Sequence, residues 1–153
     1  MRIVDDPPID LRPVAEADFA FLFRLQETLR RPAMEAAGRW DAGREAARLR
    51  ATIRPGHDQI VASGGRAIGV LGVTREPHRL WLRHIQLLSD CQGRGLGTAI
   101  LGAILAQGQR AALPVFLRVR RDNPAVRLYQ RLGFRITGED DAKLEMTAEA
   151  DKL

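Results

Sequence analysis

Apolar residues recur along this chain in two rhythms, one of period two and one of period three to four. Ile9-Asp10-Leu11-Arg12-Pro13-Val14 alternates, which predicts a first strand with one buried face. From about Glu16 to Arg31 the spacing becomes helical. Asp41 to Ile53 predicts a second helix, with Asp41 as N-cap and Ala46, Ala47, Leu49 and Ile53 on its apolar side. Asp58–Ala62 and Ala67–Thr74 read as short apolar strands joined by Ser63-Gly64-Gly65, a hairpin signal. Leu80–Leu88 predicts another strand, and Leu96, Ile100, Leu101, Ile104 and Leu105 mark one face of the helix after it. Pro114–Val119 is a further compact apolar run. Asn123 is a favoured N-cap and Pro124 a favoured first helical residue, while Gly133 is placed to end that short helix in a left-handed conformation. Two last strands fall near Phe134–Thr137 and Lys143–Thr147, with Gly138-Glu139-Asp140-Asp141 as the turn between them. No repeat or linker breaks the order, so the pattern predicts a single mixed α/β domain over residues 1–153.

The chemistry concentrates in Gln92-Gly93-Arg94-Gly95-Leu96-Gly97-Thr98, between the Leu80–Leu88 strand and the following helix. Glycines at alternate positions permit positive φ and remove the Cβ atoms that would keep a ligand away. The first turn of a helix has unpaired N–H groups at the positive end of its dipole, which suits a pyrophosphate, and Arg94 adds a charge-assisted donor. The spacing is not G-x-G-x-x-G, and no Lys follows as in G-x-x-x-x-G-K-S/T. It fits Q-x-x-G-x-G, from Gln92 to Gly97. About 30 residues on comes Asn123-Pro124-Ala125-Val126-Arg127-Leu128-Tyr129-Gln130-Arg131-Leu132-Gly133-Phe134, an Asn-capped helix carrying Leu-Tyr and running through Gly-Phe into a strand.

These two segments, in this order, resemble the GNAT (N-acetyltransferase) superfamily, whose acyl-CoA pyrophosphate loop carries Q/R-x-x-G-x-G/A. The likeness extends over roughly Arg66 to Met146. It implies a GNAT fold: an α/β domain whose central, mostly antiparallel sheet is splayed at its central strands and flanked by helices. It also implies acetyl-CoA as cofactor and acetyl transfer to a primary amine of a small molecule or peptide. The cofactor residues implied are Gln92, Gly93, Arg94, Gly95, Leu96, Gly97 and Thr98 at the pyrophosphate. Leu87, Leu88 and Ser89 follow along the pantetheine arm, with Asn123 and Tyr129 as further cofactor contacts. The backbone N–H at Leu87 stands where the family stabilises the tetrahedral oxyanion. Tyr129 stands where it protonates the leaving thiolate, although a tyrosine that only packs is the other reading of that residue.

Departures from the family pattern bear on this. Asn123 and Tyr129 are six residues apart where seven is commoner. Ser89 and Cys91 replace a frequent Pro and a bulky residue, and Trp81 stands where some members carry a glutamate base. The candidate proton acceptors are then His84, Glu27, Glu76 or water, with His84 titrating in the right range. The acceptor side falls to the first helices and to Arg30–Asp41, with Glu27, Arg31, Met34 and Trp40 as candidate substrate contacts. An exposed Trp40 would be a platform for substrate, and a half-buried one would cap the core.

Charge and composition narrow the classes. The net charge of +5 suits an anionic cofactor. Yet the basic residues are scattered, only two of the 24 are Lys, and aromatics make up 5% of the chain. No nucleic-acid partner is expected from that pattern. The apolar-plus-Gly stretches, such as Ala67–Val73, are too short to span a bilayer, so no membrane partner is expected. Asp5-Asp6-Pro7-Pro8 does not read as a secretory signal, and a lone Cys91 suits a reducing cytoplasm. The three histidines (57, 78 and 84) show no metal-ligand spacing. Three readings stay open: a small-molecule amine acetyltransferase, a protein N-terminal or lysine acetyltransferase, and a catalytically silent acyl-CoA-binding domain. Oligomeric state is open too, a homodimer included.

Overall fold

The computed structural model describes residues 2–5 and 8–151. Among them the chain forms β1 (Arg2–Asp5), β2 (Pro8–Pro13), α1 (Phe19–Ala36), α2 (Ala42–Thr52), β3 (Asp58–Ser63), β4 (Arg66–Glu76) and β5 (Arg79–Leu87). Then come α3 (Leu96–Ala111), β6 (Val115–Arg120), α4 (Ala125–Arg131), β7 (Arg135–Glu139) and β8 (Lys143–Ala148). The residues gather into two compact units, one holding the chain up to Gly72 with His84–Arg94, the other Val73–Arg83 with Gly95 onward. β4 and β5 each contribute residues to both units, so neither is an unbroken stretch of chain.

In the first unit β1, β2, β3 and β4 are successive antiparallel neighbours. Gly64 and Gly65 (φ 57° and 79°) make the two-residue turn between β3 and β4, where both central residues need positive φ. Ile60 and Val70 face each other in register. They join Val14, Phe19, Leu22, Leu25, Leu49 and Ile53 in a buried cluster that seats α1 and α2 on the strands. In the second unit the order is β5-β6-β8-β7. Leu80–Leu82 of β5 pair in parallel with Val115–Leu117 of β6, and β6–β8 and β7–β8 are antiparallel. A parallel pair needs a crossover, which α3 supplies. Leu96, Ile100, Leu101 and Ile104 of that helix are buried. The fold is thus mixed α/β, as the pattern predicted, with mostly antiparallel strands, as the family resemblance implied.

Four local expectations are corrected. Helix α1 does not stop at Arg31 but continues through Pro32 to Ala36. Arg31 pairs with Glu27 (3.0 Å) and Glu35 (2.6 Å), one turn back and one turn on, so the ion pairs bridge the proline. The helix ends instead at Gly38 (φ 67°), where Gly38 N–H bonds Glu35 O (2.9 Å) and Arg39 N–H bonds Met34 O (2.8 Å). On α2, Asp41 caps as expected, accepting the Arg44 N–H at 3.0 Å, but Ala47 is exposed and Glu45 is the buried residue. Arg30 (3.2 Å) and Arg48 (3.3 Å) make that burial affordable by meeting its carboxylate. Gly138-Glu139 belongs to β7, and the turn is tightened by Asp140 Oδ1, which accepts the N–H groups of Ala142 and Lys143. Finally, β1 pairs with β2, an edge strand that the alternation from Ile9 onward did not reveal.

Candidate active site

The segment after β5 builds the loop. Ser89–Cys91 form a single 3-10 turn, and Gln92 returns to extended backbone. Gly93 and Gly95 then take φ of 74° and 78°, a region open to glycine and strained for other residues. Gly95 is the N-cap of α3 and supplies no side-chain cap, and the first helical bond runs from Ala99 N–H to Gly95 O (3.0 Å). The N–H groups of Leu96, Gly97 and Thr98 therefore lack intrahelical partners and point out of the helix end. A Cβ built at Gly93, Gly95 or Gly97 meets nothing within 4 Å. Gly97 needs no special φ, so what its missing side chain preserves is open approach to those amides. Arg94 and Thr98 are exposed beside them. Uncapped amides, a helix dipole, an arginine and clear space fit the pyrophosphate of a CoA-type cofactor.

Upstream, the two leucines expected near the thioester differ. The Leu88 N–H donates to Ile68 O (2.8 Å), and the Leu88 carbonyl accepts the Cys91 N–H (2.9 Å), so both its backbone groups are engaged. Successive residues of a strand turn their N–H groups to opposite edges. Leu88 is spent on β4, and so the Leu87 N–H points to the other edge of β5. The Leu87 carbonyl on that edge accepts Gln92 Nε2 at 3.0 Å. Gln92 thereby ties the loop to the strand end rather than reaching freely for a ligand. Ser89 is exposed. Cys91 is buried, and desolvation followed by Asp90 pushes its thiol above the ordinary range, the character of a packing residue.

In the second unit Tyr129 sits at the C-terminal turn of α4, where 8% of its surface stays exposed. Burial raises its phenol above the ordinary value, so it carries its proton throughout the neutral range. No hydrogen-bond partner holds the hydroxyl among the described residues. Asn123 Oδ1 accepts the Ala125 N–H (2.9 Å), and Pro124 has helical dihedrals, so the side chain caps α4 and leaves its amide group for other contacts. Beside it lies a cavity of about 440 Å³ lined by Arg121, Asn123, Arg127 and Gln130 among others. Arg121 is committed to Glu139 (3.2 Å) and the Asp140 carbonyl. The arginines and Gln130 of this cavity were not singled out in the sequence, though Arg120-Arg121-Asp122-Asn123 ahead of a capped helix was the available signal.

The first unit holds the remaining candidates except Glu76 and Trp81, which lie in the second. His84 on β5 places Nε2 3.1 Å from Asp58 Oδ1 on β3. Gln86, two residues on, meets Gln26 of α1 in a short side-chain contact. Gln26 also accepts from Arg48 (3.3 Å), which links to Glu45. Burial pushes the Glu45 carboxyl up, but Arg30 and Arg48 outweigh it and hold it below the ordinary range. Glu27 and Arg31 are brought together by their ion pair, and the Arg31 guanidinium lies 5.5 Å from the Trp40 ring. Trp40 also packs at 6.4 Å from Phe23, so it is half-buried and pins the chain after α1 instead of standing free. Met34 is half-buried near the end of α1. Glu76 pairs with Arg79 (2.9 Å), and Trp81 lies edge-tilted on Phe116. Asp58, Gln26 and Gln86 had no signal in the sequence beyond being polar within apolar runs. Among the described residues no group of metal-ligating side chains gathers, and no helix is long and apolar enough to cross a membrane.

A mostly antiparallel α/β sheet with a glycine-turned loop leading into an uncapped helix is the arrangement of an acetyltransferase fold. Residues 22–134 match the family described as the acetyltransferase (GNAT) family, and the chain belongs to it. Among solved structures, it is similar to the PaiA N-acetyltransferase of Thermoplasma acidophilum in complex with coenzyme A, with a TM-score of 0.70, 16% identity, and coverage of 92% of this chain and 98% of that one. The ribosomal-protein-S18-alanine N-acetyltransferase of Escherichia coli gives a TM-score of 0.70 at 16% identity, covering 95% and 96%. Arabidopsis thaliana Naa50 in complex with the bisubstrate analogue CoA-Ac-MVNAL gives 0.64 at 17%, covering 92% and 98%. No curated protein sequence matches the chain significantly.

Proposed function

We propose that residues 1–153 act as one acetyl-CoA-dependent N-acetyltransferase domain, cytoplasmic, with a primary amine of a small molecule or peptide as acceptor. The observation that carries this reading is the open, uncapped N-terminus of α3 behind Gly93 and Gly95. Bound acetyl-CoA would supply an activated thioester, its pyrophosphate held by the amides of Leu96, Gly97 and Thr98 and by Arg94. The pantetheine arm would run along the edge of β5 past Leu87 and Ser89, pairing with it as an added strand would. Asn123 contributes its free amide group.

An ammonium acceptor must lose a proton before it attacks. His84 takes that proton. The amine nitrogen then bonds to the acetyl carbonyl carbon, and the Leu87 N–H stabilises the oxyanion. Collapse breaks the carbon–sulfur bond. Tyr129 gives its proton to the departing sulfur and regains one, by way of solvent, as the amide nitrogen sheds its second. The products are an N-acetylated amine and CoA thiol, with one proton left on His84 for release to water. The candidate acceptor contacts are Glu27, Arg31, Met34 and Trp40. The peptide acceptors named for the alanine acetyltransferase and Naa50 neighbours support keeping peptide amines within the proposal.

Thiol release from acetyl-CoA, followed against polyamines, amino acids, aminoglycosides and short peptides, tests this. Acceptor-dependent release that falls about 10²-fold or more in Tyr129→Phe, with CoA affinity retained, is the expected result. The second reading, a silent acyl-CoA-binding domain, is favoured by Trp81 standing where a glutamate base is found in some of the family. Tight CoA binding with no turnover on any amine would select it.

A further inference from the structure

Among the described residues of the first unit, Asp58 is the one acidic residue whose side chain has no exposure to solvent, and it faces His84. Its Oδ2 accepts the Arg54 N–H at 2.5 Å, which fixes the carboxylate at the start of β3. Its Oδ1 lies 3.1 Å from His84 Nε2, across the width of β4. Gly72 makes that crossing possible. It stands opposite Asp58 in register, and a Cβ there would collide with both Asp58 Oδ1 and His84 Nε2. The three residues therefore form one arrangement: a buried carboxylate, a gap in the intervening strand, and an imidazole reaching through the gap.

The imidazole has two different ends. Nε2 is shielded from solvent and has no aligned hydrogen-bond partner, although the side chain as a whole is 16% exposed. The carboxylate is thus the group placed to answer whatever Nε2 carries. In neutral imidazole one nitrogen bears the proton and the other a lone pair. Two acceptor lone pairs 3 Å apart in a buried site repel, whereas an N–H facing a carboxylate is attractive. Which ring nitrogen bears hydrogen follows from which one meets the acceptor.

We infer that Asp58 is the positioning residue of the transfer reaction: it holds the ring proton of His84 on Nε2 and leaves Nδ1 as the nitrogen that takes the acceptor amine's proton. This rests on the reading that His84 is the proton acceptor. When Nδ1 is protonated the ring becomes a cation, and Asp58 supplies its counter-charge without itself gaining or losing a proton. Gly72 keeps the path between the two clear. Asp58 never meets substrate in this scheme and acts only through His84.

The experiment is nitrogen-15 NMR of the full-length protein, reading long-range ring correlations, with the His84 signals assigned by their loss in His84→Gln. In the wild-type protein the neutral ring is expected to show a protonated Nε2 and a bare, pyridine-type Nδ1. That reading needs no Asp58 variant to fold. In Asp58→Asn the bare nitrogen is expected to move to Nε2 in a substantial fraction of molecules. With it, kcat should fall at least about tenfold while KM for acetyl-CoA stays within about twofold, the mark of a mis-set tautomer. A wild-type ring protonated on Nδ1, or an Asp58→Asn protein with unchanged His84 signals, overturns the inference. If His84→Gln keeps full kcat, His84 is not the proton acceptor. That outcome removes the catalytic meaning of the pair, and the tautomer result identifies which of the two statements failed.

Discussion

Phe134 donates its backbone N–H to the Tyr129 carbonyl at 3.0 Å and sets its ring edge-on to the Tyr129 ring, 5.7 Å between centroids. Together with the Gly133 N–H to Gln130 O bond (3.1 Å) and Gly133 at φ 103°, this is the double bond pattern of a glycine-terminated helix, complete with its apolar contact. The Gly-Phe pair thus fixes the residue proposed as general acid by backbone and by ring. Gly133→Ala is expected to cost about 1–2 kcal/mol of stability, because a Cβ is strained at that φ. Phe134→Ala, which removes a ring left 2% exposed, is expected to cost about 3–5 kcal/mol. Urea unfolding measures both. In the Gly133→Ala protein, kcat should fall more than KM for acetyl-CoA rises. The opposite ranking would mean that the motif serves binding.

Gly97 offers a prediction in which stability and function move apart. It lies in the first turn of α3, at ordinary helical φ, and an added Cβ meets no protein atom within 4 Å. Gly97→Ala should therefore raise stability by about 0.5–1 kcal/mol, the helix-propensity gain. It should at the same time raise the Kd for CoA at least about threefold by crowding the amides. Gly95→Ala, at φ 78°, should lose on both counts. Calorimetric Tm and CoA titration on the same two proteins decide it, and unchanged CoA affinity in Gly97→Ala would remove the loop from the cofactor site.

Acid stability should report on Asp18. The Arg12 guanidinium forks onto both its oxygens at 2.8 Å, and the Ala15 N–H adds a third bond, so its carboxyl is held below the ordinary range by Arg12 first. A carboxyl that is more acidic folded than unfolded adds stability above its unfolded pKa, about 4. That increment drains away as pH falls through the lower, folded value. Asp18→Ala should cost about 2 kcal/mol at neutral pH. As pH falls from about 5 toward the lower folded value, the variant's stability should fall less steeply than that of the wild type. Parallel slopes in urea titrations over that window would show that Asp18 is not a source of the acid dependence.

Sequence patterning disclosed elements where a local rule acts alone. Asp41 and Asn123 cap helices through their own side chains, and Gly64-Gly65 turns the hairpin by φ alone. The loop was legible for the same reason, since Gly93 and Gly95 carry the conformational requirement in their residue type. What stayed hidden depends on partners distant along the chain. The helical spacing ran only to about Arg31, whereas the Arg31 ion pairs carry the helix on past Pro32. The burial of Glu45 depends on Arg30 and Arg48 around it, which the apolar spacing of α2 does not show. The pairing of Asp58 with His84 depends on Gly72, a residue that local reading assigns only to a strand.

One feature of the ion pairs reaches beyond folding. The residues that tie α1 to α2 (Arg30 and Arg48), the one that braces α1 across Pro32 (Arg31) and the one that anchors Asp18 (Arg12) are all arginines. A lysine in any of these places would present an amine of the kind the proposed reaction consumes, and acetylation would erase its charge. Guanidinium stays protonated and non-nucleophilic at every physiological pH. The scaffold that would carry amine acetylation thus holds itself together with groups its own cofactor cannot modify.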